Sequence, residues 1–354
     1  MRRISIISTV VAAHFCACSQ GADVAAGFVY TEADFPSCHA ATIVEYPQGY
    51  LTAAFFGGSY EGADDVCIYM CRKPVSGGRW SAPVKVAEDS LYACWNPVLF
   101  DNGGELTLFY KTGPEVRKWR GHCKVSRDGG ETWEEPYDYG DDMFGAIKNK
   151  PVRLASGRIV CPSSDERDGW RIHFELSDDG GHTWMKSGPV EADDTVSVIQ
   201  PSILTCRDGS LLAVCRSRNG RVAVTRSADG GLTWSRVEFI DFPQNNSGLD
   251  AVTLPDGRFA MVCNPVGNNP GEQVGPRTPL CVMVSEDGEN WTTAAVLEDG
   301  EGEYSYPSVI YGSDGALHIV YTWRRQRIKY ARVRSADHLF RKRMSFGVEN
   351  IFIK

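Results

Sequence analysis

The sequence lacks the patterns that place a metal or a nucleic acid in a protein. It contains no Cys-x-x-Cys pair and no spacing of histidine and cysteine typical of a zinc site, and its seven histidines are scattered. We therefore expect no metal and no other cofactor. Basic residues are outnumbered, 37 lysines and arginines against 45 aspartates and glutamates. The net charge of −8 argues against a nucleic-acid partner, although a local basic pocket could still bind an acidic ligand.

Features that divide a chain into several domains are also missing. No linker rich in proline or serine and no run of like charge interrupts the 354 residues, and no stretch has the pattern of a long amphipathic helix. Of the twelve cysteines, ten lie outside the first twenty residues, mostly on strand-like segments with apolar neighbours. An even count permits disulfides, but this pattern favours buried free thiols for most of them.

The chain begins with MRRISIISTVVAAHFCACSQ, in which two arginines precede a short apolar run, small residues and cysteine. This order is typical of a secretory signal and is too short for a membrane-spanning helix. The end of the run resembles a bacterial lipobox with Cys18 as the lipidated residue; a plain cleavable signal is the alternative. Residues 1–23 are interpreted as signal, lipobox and tether, and residues 24–354 as one domain. We expect an exported protein of the periplasm, outer membrane or cell surface, with a membrane contact only through that lipid.

One short string recurs along the chain. SRDGGETW at 126–133 returns as SDDGGHTW at 177–184, SADGGLTW at 227–234 and, more faintly, SEDGENW at 285–291. The first serines of successive copies are 51, 50 and 58 residues apart, and SGGRW, ending at Trp80, is interpreted as a degraded first copy. A period of about 50 residues is typical of the four-stranded blades of a β-propeller.

The segments around these boxes alternate apolar and polar residues, as half-buried strands do. Examples are IHFELS and VAVTRS before two boxes, and the hairpins ILTCRDGSLLAVC and VTLPDGRFAMVC within the blades. Six such units can be counted, the last near 304–333. The box itself combines residues that build turns, so its aspartates are interpreted as structural. The sequence therefore predicts an all-β fold, a six-bladed β-propeller.

Repeats of the form SxDxGxTW over nearly the whole mature chain resemble the Asp-boxes (BNR repeats) of the sialidase, or neuraminidase, superfamily. The resemblance implies a site at the mouth of the central channel. In that family three arginines grip the sugar carboxylate, a tyrosine activated by a glutamate is the nucleophile, and an aspartate is the acid/base.

The first blade departs from that pattern. In SCHAATIVEYPQGYLTAAF, His39 stands where the first arginine of the triad is expected. An imidazole cannot grip a carboxylate with two parallel hydrogen bonds, but it can act as a general acid or base. The loop FGGSYEGADDVCIY matches the position of the acid/base, with Glu61, Asp64 and Asp65 as candidates. We favour Asp65 because it adjoins the following strand.

The nucleophile motif of the family is matched near the start of the last blade. GEGEYSYPSVIY places Tyr304 at the expected position, with Tyr306 as a rival. Glu301 or Glu303 could act as its base, although the family takes this group from an earlier blade, where ILTCRDG shows no glutamate. The basic strand YTWRRQRIKYARV is interpreted as a row of outer-face charges.

Cationic and polar residues for substrate binding are predicted at corresponding positions of other blades. Arg277 lies eight residues before its box serine, as the family resemblance implies. Arg216 and Arg218 are two residues apart on a predicted strand, so their side chains share one face. Residues just before the inner strands should line the channel mouth; these are Asn96, Lys148, Gln200 and Asp250.

Together these residues predict a cationic pocket that holds carboxylates and a phenol. The first hypothesis is a sialidase-like exo-acting glycoside hydrolase that removes a terminal acidic or uronate-linked sugar from glycans. The second is a polysaccharide lyase, in which His39 and Tyr304 abstract a proton beside a uronate carboxylate. The third is a glycan-binding lipoprotein without catalytic activity.

Overall fold

A computed structural model of the chain describes residues 22–140 and 142–334. Within these residues, 24 strands form six antiparallel four-stranded sheets, and the six-bladed β-propeller is confirmed. One short 3₁₀ helix, Val116–Lys118, interrupts the strands. No helix in the described part of the chain is long and apolar enough to cross a membrane. Residues 1–21 of the predicted leader, including Cys18, lie outside the described residues.

The strands have the following bounds in chain order: β1 Val24–Phe28, β2 Ser37–Glu45, β3 Tyr50–Gly58, β4 Cys67–Pro74, β5 Val84–Ala87, β6 Cys94–Asp101, β7 Leu106–Thr112, β8 Arg120–Ser126, β9 Tyr137–Asp138, β10 Val152–Arg153, β11 Ile159–Asp165, β12 Arg171–Ser177, β13 Met185–Ser187, β14 Val198–Thr205, β15 Leu211–Ser217, β16 Arg221–Ser227, β17 Glu238–Pro243, β18 Asp250–Thr253, β19 Phe259–Cys263, β20 Leu280–Ser285, β21 Thr292–Glu298, β22 Tyr304–Tyr311, β23 Ala316–Trp323 and β24 Arg327–Arg334. Blades 1 to 5 are β2–β5, β6–β9, β10–β13, β14–β17 and β18–β21. Blade 6 consists of β22, β23 and β24, with β1 added at its outer edge.

The N-terminal strand closes the ring. β1 pairs with β24 in antiparallel register, with Ala26 opposite Ala331, so the last blade takes its fourth strand from the start of the domain. Blade 1 is joined to blade 6 by a hydrogen bond from the Cys38 amide to the Arg325 carbonyl, 2.9 Å long. Closure therefore depends on residues far apart in the chain, and it places blades 1 and 6 side by side at the channel.

The apolar core is divided among the spaces between neighbouring blades. Strands near the middle of each blade are buried on both faces, as in β7 and β15. Leu212 and Val214 of blade 4, for example, share one cluster with Phe259 and Met261 of blade 5. The ten cysteines of the described residues are all free, and most are buried, as the alternation with apolar residues predicts.

The Asp-boxes are compact turns between the third and fourth strands. In the third box, Ser227 donates a 2.8 Å hydrogen bond to Asp229, which also accepts one of 2.6 Å from the Thr233 hydroxyl. Although burial opposes it, these hydrogen bonds lower the pKa of Asp229 to about 2. Trp234 stacks on Phe174 of blade 3 with ring centroids 3.6 Å apart. The box thus fastens one blade to the preceding one.

The inner strands bulge where they reach the channel mouth. Four residues of the inner strands other than glycine have positive φ there, and they are Ala40, Asn96, Gln200 and Tyr306, with φ of 55°, 29°, 56° and 51°. Asn246, in the loop before β18, and Arg325, in the turn between β23 and β24, also have positive φ, 59° and 58°. The pairing register shifts at this point in blades 1, 2, 4 and 6. Left-handed backbone is strained for residues other than glycine, least so for asparagine, and such strain clusters at functional sites. These bulges break the alternation of the strands and re-aim side chains at the mouth.

Lys111 is a buried ionisable residue on β7, opposite Trp95 of β6. Its side chain is fully buried, and its ammonium donates to the carbonyl oxygen of Ala146. Burial lowers the pKa of Lys111 from 10.5 to about 7. Between these two pH values the unfolded chain holds a proton that the folded chain has lost. The free energy of unfolding should therefore rise with pH across this window.

Replacing Lys111 by methionine, which has a similar length and no charge, should raise the free energy of unfolding by about 1–3 kcal/mol at pH 6. The gain should shrink towards pH 10, where the lysine is neutral in the folded state and partly neutral in the unfolded one. Urea unfolding at both pH values measures this, with Lys118→Met as a control because Lys118 is exposed. A lower stability of Lys111→Met at pH 6 would contradict the assignment of Lys111 as an unfavourable buried charge.

Candidate active site at the channel mouth

Tyr306 lies at the centre of the channel mouth. Its hydroxyl oxygen accepts a 2.5 Å hydrogen bond from Nη1 of Arg216, which comes from β15. The amide nitrogen of Gln200 lies 3.5 Å from the same hydroxyl. Arg216 also donates a 3.0 Å hydrogen bond from Nε to the Asn246 side chain. Two residues of blade 4 therefore contact the phenol of blade 6, and Asn246, just before blade 5, holds Arg216 in place, so the phenol oxygen faces a fixed positive charge.

His39, on β2, packs against this tyrosine. The two ring centroids are 4.1 Å apart, and Nδ1 of His39 is 2.8 Å from the hydroxyl of Thr322. Nε2 is buried and has no hydrogen-bond partner among the described residues. Burial lowers the pKa of His39 well below 6.5, and nearby cations, led by Arg325, lower it further. The ring is therefore neutral at pH 7 and offers one unused nitrogen inside the site.

Arg277 and Arg325 complete a cluster of three arginines around Tyr306 and His39. Glu303 bridges them, at 2.6 Å from Nη1 of Arg277 and 2.8 Å from Nε of Arg325. Although burial raises the pKa of Glu303, the two guanidinium groups hold it below 4.5. Glu61 forms a second ion pair with Arg325, 2.5 Å long. The sequence predicts that the basic segment YTWRRQRIKYARV is a row of outer-face charges. This is wrong for Arg325, because the hairpin turn between β23 and β24 places it at the start of β2.

Glu166 extends the site towards blade 3. It lies in the turn between β11 and β12, and the Trp170 side chain is hydrogen-bonded to it. Burial raises the pKa of Glu166 above 4.5 even though Arg216 and Arg218 act in the opposite direction. Arg218 stacks on Trp170 at 3.8 Å from the ring centroid, and Arg216 lies 4.9 Å from it. Glu166 was not predicted from the sequence, because it lies in the acidic string SSDERDGW, which contains no family motif.

Tyr304 lies in a different environment from Tyr306. Its ring belongs to the apolar cluster between blades 5 and 6, and its hydroxyl donates to the Glu301 carbonyl over 3.1 Å. In a regular strand these two tyrosines would share one face. The positive φ of Tyr306 and the register shift between Ser305 and Ser308 separate them. The structure therefore brings Tyr306, the rival candidate, to His39 and Arg216.

The acidic loop of blade 1 is folded back on itself. Asp65 is exposed and accepts hydrogen bonds from Ser59, 3.1 Å from its amide and 2.6 Å from its hydroxyl. These bonds, the hydroxyl first, lower the pKa of Asp65. Its carboxylate is thus held ionised, which does not suit a proton donor. Glu61 reaches the site only through its ion pair with Arg325.

Two of the predicted binding residues, Lys148 and Asp250, form hydrogen bonds to other residues of the protein within the channel. The ammonium of Lys148 donates to Asn149 and to the carbonyls of Leu249 and Pro307, at 2.9, 3.0 and 2.6 Å. Burial lowers its pKa to about 7. Asp250 is paired with Lys150 at 2.9 Å and also accepts hydrogen bonds from Ser202 and from the Val309 amide. These two residues join blades beneath Tyr306, whereas Asn96 and Gln200 lie at the mouth itself.

Comparison with known proteins agrees with the repeats and the fold. Residues 49–319 match a family model described as a BNR repeat-like domain. The chain belongs to the BNR repeat-like family. A sialidase of Micromonospora viridifaciens is 30% identical over 155 residues, which cover 40% of this chain and 23% of that protein. The resemblance to the sialidase superfamily is thereby confirmed, and the chain spans less than a quarter of this curated relative.

Solved structures with the same fold have low sequence identity to this chain. A Trypanosoma rangeli sialidase superposes with a TM-score of 0.71 at 15% identity, covering 90% of this chain and 60% of that one. The NanB sialidase from Streptococcus pneumoniae gives 0.66 at 14%, covering 88% and 71%. A Dyadobacter fermentans protein of unknown function gives 0.71 at 18%, covering 88% and 99%. At these identities the likeness concerns the fold alone.

Proposed function

We propose that this protein is an exported glycoside hydrolase that removes a terminal sugar bearing a carboxylate. The observation that carries the proposal is the convergence of Arg216, Arg277 and Arg325 on Tyr306 and His39. A planar guanidinium binds a carboxylate through two parallel hydrogen bonds, so a cluster of three favours an anionic sugar over a neutral one. The family and its sialidase relative support glycoside hydrolysis, and the leader sequence supports export.

In this proposal Arg325 binds the sugar carboxylate in place of the first arginine of the triad, whose position His39 occupies. The first blade carries an imidazole instead of an arginine, and Arg325 enters beside it from the last hairpin. The carboxylate of Glu303 forms ion pairs with both Arg325 and Arg277. Because Glu303 and Glu61 neutralise part of this charge, an incoming carboxylate would compete with them for N–H donors. The cluster thus retains a cationic surface without leaving its guanidinium groups unpaired.

In the proposed reaction, the Tyr306 oxygen attacks the anomeric carbon and the bond to the leaving oxygen breaks. The guanidinium of Arg216 stabilises the phenolate that develops on this oxygen. Gln200 offers an amide at the hydroxyl, and an amide cannot accept the phenolic proton. His39 is the proton acceptor in this scheme, and Glu166, with its raised pKa, is the proton donor to the leaving group. Water then releases the sugar from Tyr306.

A lyase is the second candidate, favoured by the unpartnered Nε2 of His39 beside Tyr306. In that reaction His39 would remove the proton next to the substrate carboxylate, whose charge the arginines neutralise. The product would contain a new double bond, and no water would be consumed.

Product mass distinguishes the two candidates. The protein is incubated with sialylated and uronate-bearing oligosaccharides, and with neutral oligosaccharides of the same length as the control. Products that together exceed the substrate by one water indicate hydrolysis, and an unsaturated product without added water indicates the lyase. Cleavage of the neutral control at the same rate would contradict the proposed role of the arginine cluster. Binding of the acidic panel without turnover would contradict both enzymatic proposals.

A further inference from the structure

His39 is fastened on one side and free on the other. Thr322 holds Nδ1 at 2.8 Å, and the Tyr306 ring covers one face of the imidazole with centroids 4.1 Å apart. Phe56 packs edge-on at 5.7 Å. Nε2 has no partner among the described residues, although a buried polar atom normally has one. This unused nitrogen points to a group that arrives with a ligand.

Cations have the largest electrostatic effects on His39. In decreasing order of effect these cations are Arg325, Arg277, Arg216 and Lys148. The nearby anions, Glu303 and Glu61, are already engaged by the arginines. Burial first, and then these cations, keep the imidazole neutral and weakly basic by lowering its pKa well below 6.5. In the ligand-free protein, His39 is therefore a poor proton acceptor.

We propose that a substrate carboxylate bound by the arginines turns His39 into the proton acceptor of the site. This inference rests on the proposed function, since it requires an anionic sugar. The bound anion offsets the positive field that suppresses protonation of the imidazole. A unit charge about 6 Å away at an effective dielectric constant of about 20 raises a pKa by about 1–2 units. The ligand that needs the base thereby activates it.

The proton balance is simple. During reaction, the Tyr306 O–H bond breaks as its oxygen attacks, and the proton forms a new bond to Nε2 of His39. The two groups are not hydrogen-bonded in the ligand-free protein, so they must approach each other when the sugar binds. When a sugar acid that cannot react is bound in the site, Nε2 of His39 takes its proton from the solvent. A neutral sugar of the same shape would leave His39 weakly basic. Discrimination against neutral substrates should therefore appear in kcat as well as in KM.

Nuclear magnetic resonance of histidine-labelled protein tests this inference directly. The His39 signals are assigned by their loss in His39→Gln, and the pKa is measured without ligand and with saturating N-acetylneuraminate or glucuronate. The methyl esters of the same sugars are the matched neutral probes. The acids should raise the pKa of His39 by about 1–2 units, and the esters should leave it unchanged.

The outcomes separate this inference from the proposed function. If an acid binds and the pKa of His39 does not move, the inference is wrong while the anionic-sugar proposal stands. If neither acid binds at any accessible concentration, both are contradicted. A similar rise with the methyl esters would show that exclusion of water, and not the carboxylate charge, acts on His39, and would also overturn the inference.

A charge-removing variant gives an independent check. Arg325→Gln removes the cation with the largest effect on His39, so the pKa in the ligand-free protein should rise and the further rise with an acid should be smaller. Arg226→Gln is the matched control, because Arg226 pairs with Glu289 on an exposed surface. An unchanged His39 pKa in a folded Arg325→Gln protein would contradict the proposed field effect.

Discussion

Tyr306→Phe should reduce kcat by at least about 10³-fold on a substrate that the native protein turns over. The phenol oxygen accepts the hydrogen bond from Arg216 and lies 3.5 Å from the Gln200 amide nitrogen, and phenylalanine keeps the ring while removing only this oxygen. Loss of a nucleophile removes the covalent route, and acid–base effects alone account for about 10²–10⁴-fold. Initial rates on the substrate identified by product mass measure the effect.

Tyr304→Phe is the matched control for this substitution. The Tyr304 hydroxyl donates to the Glu301 carbonyl within an apolar environment, so its loss should change kcat less than about tenfold. The alternative assignment, Tyr304 as nucleophile, predicts the reverse ranking of the two variants. A large loss in Tyr304→Phe with normal folding and a small loss in Tyr306→Phe would overturn the assignment proposed here.

Arg216→Lys should lower kcat/KM by about 10²–10³-fold, although the charge is retained. The guanidinium reaches Tyr306, Gln200 and Asn246 from one planar group, at 2.5, 3.3 and 3.0 Å. An ammonium is a point donor and cannot hold these three partners in the same geometry. The loss should fall mainly on kcat, because the bond to the Tyr306 oxygen strengthens as the phenolate forms.

Arg221→Lys is a suitable control, since Arg221 is exposed on β16 and lies over the Phe239 ring. Its kinetics should match those of the native protein. If Arg216→Lys kept native kcat and only raised KM, then Arg216 would act in ground-state binding of the sugar. The proposed stabilisation of the phenolate would then be incorrect.

The architecture could be predicted because it is repeated in the chain. Each box uses the same local chemistry, as in the Ser227, Asp229 and Thr233 turn, which needs no information from distant residues. The box copies and their regular spacing therefore predict the blades, and the six strand and hairpin units predict their number. The role of N-terminal β1 in completing blade 6 was not predicted, because its sequence contains no partner signal for β24.

The centre of the site was less predictable. A residue followed by proline recurs at the start of three inner strands, and these residues are Asn96, Gln200 and Tyr306. This shared pattern could have favoured Tyr306 over Tyr304 as the residue at the channel mouth. Arg325 carried no such signal, since it lies in a basic run that also suits an outer face. Glu166 was hidden in a polar turn of blade 3, where only burial and nearby Arg216 distinguish it from a solvated carboxylate.

By itself, the sequence determined the all-β repeat, the number of blades and three residues of the candidate site, His39, Arg216 and Arg277. These follow from local turn chemistry and strand alternation, which act between neighbours in the chain. Only the tertiary structure decided that Tyr306 meets Arg216, that Arg325 lies beside His39, and that Asp65 is bonded to Ser59 in its own loop. Ring closure and the strained bulges at the channel mouth set these contacts, because they bring together side chains from different blades and override the regular alternation of each strand.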